Sequence, residues 1–261
     1  MAFAKKSLGQ NFLIDKNVIT KIVNLAKIKD REIVEIGSGK GALTEEILKR
    51  KPKSLKIIEK DEILCNFLKK KYSQNKNIKI FNKDILKFNL ERIVQNNSII
   101  FGNLPYNISS QILVKIIKFK NIISKFDDIV FMFQRELGKK IIGKFSSSHY
   151  GRLAILTDYK LAVNKTFTVS PNCFVPKPKV YSMIIHFKPK KNNLIKINKI
   201  DNLEKVTNVL FSNKRKMINK NIKKILTSNE IKQISNLKME LRPSEIRPEI
   251  FYKITELFEK K

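Results

Sequence analysis

The chain predicts an α/β fold, a mostly parallel sheet covered by helices on both faces, followed by a small all-helical domain. Three observations predict it. Short β-rich runs alternate with amphipathic helical segments along the first part of the 261 residues. A glycine-rich turn, Gly37-Ser38-Gly39-Lys40-Gly41, joins the first of those runs to a helix. Beyond residue 190 the apolar spacing is helical only.

Taken in order, a first helix is read over residues 16–26, and strands over 32–36, 55–58, 78–81, 99–102 and 129–133. Helices lie between them, such as 43–49, with Leu43, Ile47 and Leu48 on one face, and 63–71. Alternation of this kind implies parallel strands joined by crossovers. After a helical stretch at 153–159, two strand-like runs at 162–168 and 180–187 are joined by a loop that suits an antiparallel pair, so the last strand is expected to run against the others. The polar stretch 188–193 breaks the periodicity and divides the chain into domains 1–189 and 190–261. In the second domain Val206, Leu210 and Phe211, then Ile218, Ile222 and Ile225, form apolar stripes. Pro248 opens a final helix with Ile250, Phe251, Ile254, Leu257 and Phe258 inward.

Lys and Arg number 54 against 23 Asp and Glu, a formal charge of +31 that points to a polyanionic partner. Because 46 of the 54 are lysine, compositional bias supplies part of the excess. The charge is spread along the chain, at 36 basic and 15 acidic residues in 1–189 and 18 and 8 in 190–261. Cys65 and Cys173 match no zinc spacing, no metal is expected, and no apolar run is long enough to span a bilayer. A cytoplasmic protein is expected, monomeric and without a membrane partner.

The glycine turn lets the backbone approach a ligand closely, and read alone it fits a dinucleotide as well as other nucleotides. Glu59, at the end of the second strand, suits ribose hydroxyls. Asp84, after the third, is placed to accept from an adenine amino group, with Ile85 covering the ring. Together with Gly37 and Gly39 they point to an adenosyl donor. Across the same sheet edge, Asn103-Leu104-Pro105-Tyr106 combines an amide, a carbonyl held extended before proline, and an aromatic face. These suit a planar amino group on a flat ring, adenine above all. Accepting its two hydrogens at the Asn103 side chain and the Leu104 carbonyl would turn the nitrogen lone pair toward a methyl group. Phe174, ahead of the stiff Val175-Pro176-Lys177-Pro178, could sandwich the base opposite Tyr106. His149 and His186 are read as structural or exposed.

With these motifs the chain resembles the ribosomal RNA adenine dimethyltransferases. The likeness runs through Leu8-Gly9-Gln10-Asn11-Phe12-Leu13, the segment 34–44, Glu59, Asp84, 101–109, Tyr150-Gly151-Arg152-Leu153 and 174–180. The resemblance implies a Rossmann-like class I methyltransferase domain and S-adenosylmethionine as donor, with Asn11 and Leu13 helping to hold it beside Gly37, Glu59, Asp84 and Asn103. It implies dimethylation of two adjacent adenosines near the 3′ end of 16S rRNA in an immature small subunit. It also implies a helical C-terminal domain whose basic helix, with Lys214, Arg215, Lys216 and Lys220, contacts rRNA. The alternatives are the related large-subunit methyltransferases of the antibiotic-resistance type and a mainly non-catalytic assembly factor.

Overall fold

The protein is described by a computed structural model over residues 10–191 and 194–260. Leu8 and Gly9 of the N-terminal motif, and Asn192 and Asn193 of the expected domain boundary, lie outside the described residues. The chain forms two compact units, one of residues 10–138 with Ala162–Pro189, the other of Lys139–Leu161 with residues 190–260.

The first unit begins with β1 (Phe12–Leu13) and α1 (Lys16–Val23), then β2 (Glu32–Ile36), α2 (Ala42–Lys49), β3 (Ser54–Glu59), α3 (Glu62–Lys71) and β4 (Ile78–Asn82). It continues through β5 (Ser98–Asn103), α4 (Ser109–Ile117), α5 (Ile122–Lys125), β6 (Phe126–Gln134) and α6 (Arg135–Ile141). After α7 (Arg152–Lys160) come β7 (Leu161–Val169), β8 (Phe174–Val175) and β9 (Ser182–Pro189). Seven strands form one sheet in the order β4-β3-β2-β5-β6-β9-β7. Strands β2 to β6 pair in parallel, and β9 runs antiparallel to β6. The winding reverses between β2 and β5, the place where open α/β sheets receive ligands at their carboxyl edge.

Local chemistry sets the ends of the elements. Asp15 caps α1 by accepting from the Val18 N–H, and Asp61 caps α3 by accepting from Ile63 N–H. Helix α1 buries Ile19, Ile22 and Val23 and stops three residues short of the expected end, with Asn24 as its C-cap. Strand β5 is buried from Ser98 to Gly102, as a central strand covered on both faces must be. The last strand starts at Ser182, two residues later than the sequence suggests. Sequence periodicity gives no hint of β1, which pairs antiparallel with β8, Leu13 opposite Phe174.

The second unit contains α7 together with α8 (Ile200–Phe211), α9 (Asn219–Ile222), α10 (Ser228–Lys232) and α11 (Pro248–Phe258). Unlike the expected single division at 189, residues 139–161 belong to this unit. Its tyrosines explain why: Tyr150 Oη donates to the Ile246 carbonyl at 2.9 Å, Tyr252 Oη to Asp158 at 2.7 Å, and the Tyr159 and Tyr252 rings lie 5.0 Å apart. The expected basic helix is absent as such among the described residues. Helix α8 ends at Phe211, residues 212–217 form a turn, and α9 spans only four residues. Between Ser212 and Lys216 there is no apolar side chain to bury, so no packed face holds this stretch helical.

Gly102 is the tightest point of β5. A Cβ there would stand 2.5 Å from Leu104 Cδ2, 3.1 Å from Phe131 Cδ1 and 3.3 Å from the Ile36 carbonyl oxygen. Gly102→Ala is expected to destabilise the fold by about 1–3 kcal/mol through overpacking. Denaturant unfolding checks it, and an unchanged midpoint would contradict the packing described.

Candidate active site

A cavity of about 220 Å³ opens at the carboxyl edge of β2, β3, β4 and β5. Most of its wall comes from five short segments: residues 10–14, the glycine turn with its flanks (35–43), Ile58 to Lys60, Lys83 to Ile85, and residues 103–108. All but the first arrive there because a strand ends there.

Register explains the central juxtaposition. Ile36 of β2 lies opposite Gly102 of β5, so the residues that follow, Gly37 and Asn103, leave the sheet side by side. A Cβ at Gly37 would stand 3.5 Å from the Asn103 carbonyl oxygen and 3.8 Å from Pro105 Cδ. Gly37, Gly39 and Gly41 all have positive φ, a conformation that side chains resist. At Gly39 a Cβ would also press to 3.0 Å on the Phe12 ring, so this glycine makes room for the N-terminal arm.

Carboxylates line one side of the cavity. Glu59 accepts from the backbone N–H groups of Gly39 (3.0 Å) and Asp61 (2.9 Å), which fixes it against the glycine turn. Burial pushes its carboxyl up, and those two N–H groups act the other way. Glu35, 1% exposed, accepts from Thr44 Oγ1 at 2.7 Å through one oxygen. Its other oxygen has no hydrogen-bond partner among the described residues. Burial pushes this carboxyl up to about 7, against the Thr44 hydrogen bond and with a contribution from the nearby Glu59 charge. Asp84 accepts from Lys60 Nζ at 2.8 Å and from the Leu86 N–H at 2.9 Å, and the Lys60 ammonium holds it below the usual carboxylate range. Ile85, 6% exposed, forms an apolar wall beside it.

The facing side is built by residues 103–106. Asn103 Nδ2 donates to the Asn11 carbonyl at 3.2 Å, which fixes the amide plane and leaves Oδ1 as its accepting end. Leu104 is buried beneath it. The Tyr106 hydroxyl meets Ser182 Oγ at 2.5 Å, so its ring is held from β9. Burial pushes the phenol up.

All of Asn11, Leu13, Gly37, Gly39, Glu59, Asp84, Ile85 and Asn103 line this one cavity, with Leu104, Pro105 and Tyr106. Phe174 does not. It is 2% exposed, packed in the core with Leu13, Ile19 and Met132, and the expected sandwich opposite Tyr106 gives way to a role as core anchor beneath the arm. Lys214, Arg215, Lys216 and Lys220 belong to the second unit, where the last three border a groove with Lys224 and Arg242. His186 is buried in β9, its Nε2 2.6 Å from Asp128, away from the cavity lining.

Sequence reasoning missed Phe12, which Lys40 covers at 4.8 Å, and the Gln10 to Asp61 hydrogen bond of 2.9 Å. It also missed Lys60 as the partner of Asp84. A clue existed for Lys60, since it follows Glu59 at the same strand end. None existed for Phe12, whose place depends on the distant β8.

Comparison with known proteins gives a consistent result. The family model described as ribosomal RNA adenine dimethylase matches residues 1–260. A ribosomal RNA small subunit methyltransferase A of Pelagibacter ubique (strain HTCC1062) is 44% identical over 259 residues, 98% of this chain and 97% of that one. Among solved structures, a dimethyladenosine transferase from Plasmodium falciparum aligns with a TM-score of 0.78 at 26% identity, over 93% of this chain and 95% of that one. The 23S rRNA methyltransferase ErmE aligns with a TM-score of 0.72 over 95% of this chain and 100% of its own, and at 21% identity it shares the fold.

Glu35 makes a pH prediction. Its folded value, about 7, lies above the ordinary 4.5, so the folded state holds a proton that the unfolded chain has released. Stability is therefore highest at and below the ordinary value and falls as pH rises toward 7, by on the order of 3 kcal/mol. In Glu35→Gln this part of the stability curve should flatten, as read by urea unfolding between about pH 4.5 and 8. A curve parallel to the wild type would refute the assignment.

Proposed function

The chain belongs to the ribosomal RNA adenine dimethylase family, and from that premise we propose how its residues divide the work. It is an S-adenosylmethionine-dependent methyltransferase that dimethylates the N6 amines of two adjacent adenosines near the 3′ end of 16S rRNA during ribosome biogenesis. The observation that carries the division of labour is that Gly37 and Asn103 leave adjacent strands side by side at the wall of one cavity, which sets a donor cleft and an acceptor clamp against each other.

S-adenosylmethionine supplies an activated methyl group on a positively charged sulfur. The cleft suits such a cationic nucleoside, with buried carboxylates, apolar walls and a glycine turn a side chain would fill. Glu59 takes the ribose hydroxyls, Asp84 the adenine amino group with Ile85 along the ring, and Asn11 and Leu13 close the arm over it.

On the other side, Asn103 Oδ1 and the Leu104 carbonyl accept the two hydrogens of the target amine, and Tyr106 offers its ring to the base. The amine is a poor nucleophile while its lone pair is delocalised into the ring. Holding both hydrogens favours a pyramidal nitrogen whose lone pair points at the methyl carbon, so alignment does most of the catalysis. The proton becomes acidic only as the new bond forms, so no strong base or metal is needed. The target adenosine must leave its stack to enter.

Lys214, Arg215, Lys216 and Lys220 meet rRNA phosphates, contacts that position without specifying. The substrate is an immature small subunit in the cytoplasm, and the enzyme acts as a monomer. The large-subunit alternative has the same fold on its side, whereas the 44% identity lies with a small-subunit enzyme.

Incubating small subunits that lack the modification with labelled donor, then mapping N6-dimethyladenosine, tests the reading. Wild type should label the adenosine pair, and Asn103→Ala should lose the signal by at least about 100-fold. Equal labelling in the variant, or label on large-subunit RNA, would overturn it. Replacing Lys214, Arg215, Lys216 and Lys220 with Ala should weaken subunit binding and reduce the slope of log affinity against log salt by about one for each phosphate no longer neutralised. An unchanged slope would show that these cations do not touch RNA.

A further inference from the structure

We propose that Tyr181 and Arg135 form a stacking platform for the nucleotide next to the target adenosine, a specificity contact that rests on the adenine-methylating reading above. Three facts lead there.

The first is place. Asn103 lies opposite Met132 in β6, and Gln134, two residues further along, lies opposite Ser182 in β9. Arg135 and Tyr181, the next residues on each side, therefore stand at the carboxyl edge of the sheet, on the strand ends that continue the row from Asn103. The Tyr106 hydroxyl reaches across to Ser182 Oγ, so the acceptor clamp and the residue beside Tyr181 are joined by a 2.5 Å hydrogen bond.

The second is exposure. Tyr181 is 49% exposed and Val180 beside it 44%, in a chain that buries most of its large apolar side chains. An aromatic ring kept in water, one residue from the Ser182 that holds Tyr106 of the acceptor clamp, invites a second base.

The third is chemistry. The Arg135 N–H donates to the Tyr181 carbonyl at 2.9 Å, and the Arg135 guanidinium carbon lies 5.9 Å from the Tyr181 ring centroid. Among the described residues the guanidinium is held by that ring and by no carboxylate. A ring to stack on and an unneutralised guanidinium beside it match a nucleotide, base on the ring and phosphate on the charge.

The test is steady-state methylation of small ribosomal subunits lacking the two dimethyladenosines. Tyr181→Ala should raise KM for the subunit roughly tenfold with kcat, donor affinity and thermal midpoint unchanged, and Tyr181→Phe should behave as wild type. Arg135→Gln should raise KM and lessen its salt dependence. Exchanging the nucleotide that flanks the adenosine pair between purine and pyrimidine should raise KM for the pyrimidine, the weaker stacker, in wild type but not in Tyr181→Ala. Wild-type KM in Tyr181→Ala, or a flank effect that multiplies with it, would overturn the platform while leaving the methyltransferase intact. A wild-type enzyme that transfers no methyl group would instead remove the parent reading and the platform with it.

Discussion

Strand β2 lies beside strand β5 with Ile36 opposite Gly102, and the rest of the site depends on that register. A slip of one residue would turn Glu35 away from the cavity and carry Asn103 off the glycine turn, because side chains alternate with a period of two. The register is secured by burial of both strands and by the absence of a side chain at Gly102, where neighbouring strands and Leu104 leave no room. From it follows the placement of the glycine turn and Asn103 side by side at the wall of one cavity.

The second constraint is the arm. Residues 10–14 are tied by the Gln10 to Asp61 hydrogen bond, by Asn103 to the Asn11 carbonyl, and by pairing of β1 with β8. Asn103 thus ties the arm with its amide nitrogen, and in the proposed division of work its amide oxygen serves the target amine. Burying Glu35 and Glu59 beside each other works against stability. Glu59 recovers part of that cost from two backbone N–H groups, while Glu35 keeps one oxygen unsatisfied among the described residues. A half-satisfied buried carboxylate at the wall of a cleft is the kind of destabilised group that functional sites hold.

Much of this was legible in the sequence. The sheet strands announced themselves by β-branched runs, and Gly37, Glu59, Asp84 and Asn103 by recurring where such runs end. What stayed hidden depends on long-range pairing. Strands β1 and β8 have two residues each and so carry no periodicity, which concealed both the seat of Phe12 and the burial of Phe174. The assignment of residues 139–161 to the helical unit rests on tyrosine hydroxyls whose partners lie 96 and 94 residues away, with nothing local to mark them. The basic segment misled in the opposite sense. Its charge was plain, but a run without apolar residues has nothing to hold it helical, and it folds as a turn.

The central claim is that Asn103 orients the amine and does not merely complete the donor cleft. A single-turnover measurement of methyl transfer, with donor and subunit both saturating, separates the two. In Asn103→Ala the account predicts that donor affinity stays within several-fold of wild type while the chemical step slows by two orders of magnitude or more, on the scale of lost alignment. A chemical step at the wild-type rate once donor is saturating would contradict it, and would leave Asn103 as no more than a latch for the arm.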